Sequence, residues 1–197
     1  MSIYLYNIER LEKGQVLYRP CKTCRSPYVA DVLLCDKNIS IIAHAPSLGC
    51  CGYVDKQQYV FVVPHKDPKK CTHVIHLAYV CEKNINYLIG VHPKSAEKIV
   101  SLCLEKGCIL TLENVENIER EKKFLNSRFD FTCIDKDKQK TIIEVKSVPC
   151  ADYEDIEFKE RKKKDYSSRD VNSKIAYFPD GYRKKKTDTI SPRALKH

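Results

Sequence analysis

Ser127-Arg128-Phe129-Asp130-Phe131 and, after a polar stretch, Ile142-Ile143-Glu144-Val145-Lys146-Ser147-Val148 decide how this chain is read. Side chains alternate between faces in an extended segment, so Phe129, Phe131 and Cys133 share one face while Arg128, Asp130 and Thr132 share the other. In the second segment Ile143 and Val145 point one way, and Glu144 and Lys146 the other. The connection, Asp135-Lys136-Asp137-Lys138-Gln139-Lys140, contains no apolar residue and predicts a hairpin. Pairing Ile134 with Lys140 sets Asp130 opposite Glu144 and places both carboxylates and Lys146 on one polar face. A slip of one residue would send Asp130 to the apolar side, so site and register stand or fall together.

Hard-cation chemistry gives these residue types a meaning. Magnesium takes oxygen ligands from one or two carboxylates, keeps several waters and leaves room for phosphate oxygens. Asp130 and Glu144 are the expected ligands to Mg2+ or Mn2+, beside a phosphodiester. Lys146 is placed to position or deprotonate the attacking water and to offset developing negative charge. Glu121, in Arg120-Glu121-Lys122-Lys123-Phe124, is a further candidate carboxylate. The bland reading of the same spacing is a solvated cross-strand charge cluster.

Several segments resemble the sugar fermentation stimulation protein (SfsA) family. They are Ala43-His44-Ala45-Pro46-Ser47-Leu48-Gly49, Ile89-Gly90-Val91-His92-Pro93, Arg120-Glu121 through Phe131, Glu144-Val145-Lys146-Ser147-Val148, and Ala176-Tyr177-Phe178-Pro179-Asp180. The resemblance implies a mixed α+β protein: an OB-like N-terminal β-barrel followed by a PD-(D/E)xK nuclease-like αβββαβ domain, with DNA as ligand. By position, Asp130, Glu144 and Lys146 match the nuclease signature. Leu48-Gly49-Cys50-Cys51-Gly52 stands where the family commonly carries an Arg, and a long basic insertion follows Val148. The resemblance also implies a helix and a strand after His197, so the nuclease-like domain is expected to be truncated at its C-terminus.

The N-terminal region reads as short strands at Tyr4 to Tyr6, Gln15 to Tyr18, Tyr28 to Leu34, Ile39 to Ala43, Tyr59 to Val63, His73 to Val80 and Tyr87 to Ile89. Turn residues punctuate them, a pattern that suits a small barrel and a single-strand nucleic-acid platform. One helix is predicted: Pro93 opens it, Ala96, Ile99, Val100, Cys103 and Leu104 form its apolar stripe, and Gly107 caps it. The expected domains are 1–85, the OB-like barrel, and 86–197, the nuclease-like domain with a basic insertion at about 152–173.

The chain of 197 residues carries a net charge of +9 and 11 cysteines. No apolar run approaches the roughly 18 residues of a membrane helix, and the first residues do not form a signal peptide. An odd cysteine count, scattered through apolar strands without an export signal, favours reduced thiols in a cytosol-like compartment. Cys21-Lys22-Thr23-Cys24 with Cys50 and Cys51 is a candidate structural zinc set, with His44, His73 or His76 as further donors. Free thiols in loops and a labile disulfide are the alternatives.

Charge is concentrated late in the chain. Residues 161–186 hold ten Lys or Arg against three Asp, a net of +7. Arg161-Lys162-Lys163-Lys164 and Arg183-Lys184-Lys185-Lys186 are expected to meet DNA phosphates through counterion release. A localisation signal or a solvated loop is the alternative, with disorder expected from Asp152 through Ser173. Two functions follow: a divalent-metal-dependent DNA endonuclease, or a non-catalytic, regulatory DNA-binding protein. No membrane partner is expected, and self-association into a homo-oligomer is left open.

Overall fold

A computed structural model describes residues 4–47, 50, 52–82, 84–124, 126–147, 152–153 and 175–176. Among them lie two compact units, one built on Ile8–Pro93 and the other on Lys94–Lys146. The architecture is mixed and mostly antiparallel, with one α-helix among the described residues.

The first unit is a six-stranded sheet: β1 (Glu12–Tyr18), β2 (Val29–Leu34), β3 (Ile39–His44), β4 (Tyr59–Pro64), β5 (His73–Glu82) and β6 (Ile85–Gly90). Their order is β3-β2-β1-β4-β5-β6. β3 also pairs with β5 in parallel, Ala43 with His73 and His44 with Val74. The ladder therefore runs β1, β2, β3, β5, β4 and returns to β1. Alternation produces the core: Val16, Ala30, Val32, Leu34, Ala43, Val60, Val62, Ile75, Ala78 and Val80 all turn inward. Gly14 is required where β1 passes β2, because a Cβ there would lie 2.5 Å from Val32 Cγ1. The strand expected at Tyr4 to Tyr6 does not form: these residues have no regular structure, and Tyr4 is 74% exposed. Aromatic β-propensity without a partner strand does not make a strand. β6 completes the sheet beside β5, and the two units divide after Pro93.

In the second unit, α1 (Pro93–Glu105) precedes β7 (Glu116–Arg120), β8 (Lys123–Phe124), β9 (Ser127–Arg128), β10 (Phe131–Ile134) and β11 (Lys140–Ile143). β10 lies between β7 and β11, antiparallel to both. Gly107, at φ +62°, ends α1 as expected: Cys108 N donates to Cys103 O, the closure of a Schellman cap. The buried face of the helix differs from its apolar stripe. Ser101 and Leu104 are buried, while Ile99 is 40% exposed. A separate two-residue pairing joins β12 (Asp152–Tyr153) to β13 (Ile175–Ala176), in parallel. No helix among the described residues is long and apolar enough to cross a membrane.

Candidate metal centre

The hairpin that carries the site is locked by Asp135. Its carboxylate accepts from the N–H groups of Asp137 and Gln139, both at 2.9 Å, and from the Thr141 hydroxyl at 3.1 Å. Asp135 N donates to Gln139 O, and Lys138 takes up φ +60° to close the turn. The resulting register pairs Ile134 with Lys140 and Phe131 with Ile143, as the sequence pattern predicts. Asp130 and Glu144 are the next residues along each strand.

The other edge of β10 extends the row. Phe131 pairs with Arg120, and Glu121 N donates to Asp130 O at 3.0 Å. The backbones of Glu121, Asp130 and Glu144 thus stand side by side at one end of the three-stranded sheet. Phe129 and Phe131 are buried beneath them, as alternation requires. Thr132, placed on the polar face by alternation, is instead only 1% exposed, in the middle of the central strand.

Asp130 is half-buried and accepts a 2.7 Å hydrogen bond from Val145 N at its Oδ2. Burial pushes its carboxyl above the usual range against that bond; Glu144 and Glu97 push it further, and Lys146 pulls it back. Glu144 Oε1 pairs with Lys146 Nζ, whereas Glu144 Oε2 is buried with no hydrogen-bond partner among the described residues. The Glu121 carboxylate turns aside, meeting Arg128 at 3.3 Å and Lys94 at 3.5 Å.

Glu97 is the residue that sequence reasoning missed. It lies on α1, its side chain is 13% exposed, and Lys94 Nζ holds it at 2.7 Å. Its charge acts on Asp130, and Lys94 links it to Glu121. Glu97, Ser101 and Leu104 recur at helical spacing, so the buried face of α1 carries a carboxylate toward the site.

A buried carboxylate oxygen without a donor, beside a second carboxyl raised by burial and like charge, suits a divalent cation with oxygen ligands. Asp130 and Glu144 would be the one or two carboxylates that such an ion uses. Among the described residues no three His, Cys, Asp or Glu side chains already form a ligand set, so water and phosphate oxygens would complete the coordination.

Of the expected zinc donors, Cys21 and Cys24 flank one turn. Cys50 Sγ donates instead to Ser47 O at 3.3 Å. Cys51, both basic clusters and most of the insertion at 152–173 lie outside the described residues.

Comparison with known proteins places the chain. A family profile described as the sugar fermentation stimulation protein RE domain matches residues 94–159. A sugar fermentation stimulation protein homolog of Pseudoalteromonas atlantica is 31% identical over 127 residues, 61% of this chain and 52% of that protein. A homolog of Clostridium perfringens is 30% identical over 140 residues, 70% of this chain and 56% of that one. The chain thus spans about half the length of the curated relatives it matches. Among solved structures, Pyrococcus furiosus SfsA in complex with Ca2+ is similar in fold, with a TM-score of 0.60 at 15% identity. That match covers 79% of this chain and 63% of the other.

Proposed function

The chain belongs to the sugar fermentation stimulation protein family, and from that premise we propose that it binds DNA and hydrolyses phosphodiester bonds with a divalent cation. Asp130 and Glu144 hold that cation, Mg2+ or Mn2+, in a PD-(D/E)xK-like arrangement. The observation that carries this reading is the buried, unpartnered Glu144 Oε2 beside the raised carboxyl of Asp130. A bound cation supplies Lewis-acid stabilisation of the phosphate and lowers the pKa of a coordinated water. The family resemblance at Glu144-Val145-Lys146 supports the same reading.

The side chains divide the work. Val145 N–H fixes the orientation of Asp130 by its hydrogen bond to Oδ2. Lys146, anchored on Glu144, presents its ammonium to the attacking water and to charge developing on the phosphate. Glu97 adds negative charge that disfavours an empty centre and favours a filled one. Lys94 and Arg128, tied through Glu121, set positive charge around the carboxylate row for the DNA backbone.

The first unit is the DNA-holding module in this reading. Its ladder, returning from β5 through β4 to β1, supports an OB-like barrel. Arg161 to Lys164 and Arg183 to Lys186 extend the phosphate path.

A second reading, DNA binding without cutting, is favoured by the ion pair that occupies Glu144 Oε1. Incubating the chain with plasmid and single-stranded DNA in Mg2+ or Mn2+ separates the two. Metal-dependent cutting by the wild type and none by Glu144→Ala is expected. Equal cutting by both would remove the site, and binding without cutting by either would establish the second reading.

A further inference from the structure

The β1 to β2 turn holds an unusual sulfur. Cys21 is 1% exposed, and burial raises its thiol, opposed by the main-chain N–H groups of Cys24 and Thr23 in the same turn. A thiol held in this way stays protonated until a cation replaces its proton, and the nearby N–H groups then favour the thiolate. The turn is held from the other side by Asp31: Lys22 N donates to Oδ2 at 2.8 Å and Cys21 Sγ to Oδ1 at 3.4 Å.

Two further segments converge on this turn through the sheet. Cys21 N donates to Val29 O, and Val29 pairs with His44 at the end of β3. The β4 to β5 loop is closed by His65 N on Thr72 O and tied to β3 by Thr72 N on Ile42 O. That loop carries His65, Asp67 and Cys71, which with His44 and Lys69 line a cavity of about 340 Å³. Cys71 lies within electrostatic reach of both Cys21 and Cys24, and His44 of His65. Three thiols and two imidazoles, drawn from three chain segments, thus lie toward one end of the sheet.

We propose that Cys21, Cys24 and Cys71, completed by His65 or His44, form a structural zinc site that staples the β4 to β5 loop to the β1 to β2 turn. Three cysteines and a histidine are a standard structural zinc set, and a C-x2-C turn is its usual half-site. The N–H groups of Thr23 and Cys24, in the same turn, would serve the bound thiolate as outer donors. The ion replaces the thiol protons, which pass to solvent on binding. No three donors already stand together as a ligand set, so closure brings Cys71 and one imidazole inward from the cavity wall. The site is independent of the carboxylate row and of any nuclease activity. It also replaces Cys50, held by Ser47 O, with a cysteine that lies far away in sequence.

The test uses the full chain, reduced and stripped of metal, titrated with cobalt(II) and then with zinc. One equivalent of cobalt giving the visible bands of a tetrahedral thiolate site, displaced by zinc, is expected for the wild type. Cys50→Ser and Cys35→Ser should keep them. Cys24→Ser and Cys71→Ser should weaken binding at least about tenfold, since even outer-shell changes at such sites cost that much. Circular dichroism of each metal-free variant separates ligand loss from misfolding; Cys71, only half-buried, decides alone if Cys24→Ser fails to fold. Absence of bands in the wild type, bands unchanged in Cys71→Ser, or a disulfide in place of metal after gentle oxidation with no cobalt uptake before it would each overturn the proposal.

Discussion

Neutralising Glu144 while keeping its shape isolates what the carboxylate row is for. In Glu144→Gln two effects oppose each other before any metal is added. The buried, unpartnered Oε2 costs the native fold about 1–3 kcal/mol, and with the side chain 26% exposed the lower end applies. The pair with Lys146, itself half-exposed, contributes only about 0–1 kcal/mol and is weakened in the variant. Metal-free stability should therefore change by no more than about 1 kcal/mol. Addition of Mg2+ or Mn2+ at about a hundred times its dissociation constant should stabilise the wild type by about 2.7 kcal/mol. The variant should gain little of this. Urea denaturation with and without metal, followed by tyrosine fluorescence in a chain that has no tryptophan, reads both quantities. An equal metal-induced gain in both proteins would refute the assignment of Glu144 as a ligand.

Other perturbations follow from the same geometry. Phe131, fully buried on the central strand, should lose about 3–5 kcal/mol on truncation to Ala, measured by the same denaturation. Gly14→Ala should cost about 1–3 kcal/mol, because the new Cβ meets Val32 Cγ1 and the Leu33 carbonyl; an unchanged urea midpoint would contradict that packing. The Gln139 N–H foremost, with the Thr141 hydroxyl and Asp137 N–H, holds the Asp135 carboxyl below its usual range. Its stabilisation of the hairpin is therefore present above the unfolded carboxylate pKa of about 3.9 and is lost as pH falls through the lower, folded value. Asp135→Asn should flatten that acid loss in denaturation profiles. Burial, Glu144 and Glu97 raise the Asp130 carboxyl, so metal binding, which needs the ionised form, should fail on acidification sooner than for an ordinary carboxylate. Glu97→Gln removes one like charge and should move that limit to lower pH, read by manganese titration at a series of pH values.

The hairpin was legible in the sequence because every local signal agrees on it. Alternation places Phe129, Phe131 and Cys133 inward, and the polar connection contains Asp135, whose carboxylate can close only one turn here. Strands β1 to β6 were legible for the same reason, their apolar residues alternating at period two. Tyr4 to Tyr6 looks like a strand only by composition, and composition does not supply a partner. Glu97 was hidden because the rotation of α1 about its axis is set by tertiary packing. Its apolar stripe includes Ile99, yet Ile99 faces outward and Glu97 inward. Cys71 was hidden by distance along the chain: only the parallel pairing of β3 with β5 shows that its loop lies near the Cys21 turn.

A crystal of the chain grown with manganese, mapped by the metal's anomalous scattering, tests the central claim most directly. An ion in contact with the carboxylates of Asp130 and Glu144, with water completing its shell, is the expected result. Manganese bound elsewhere, with Glu144 Oε2 still unpartnered, would contradict it.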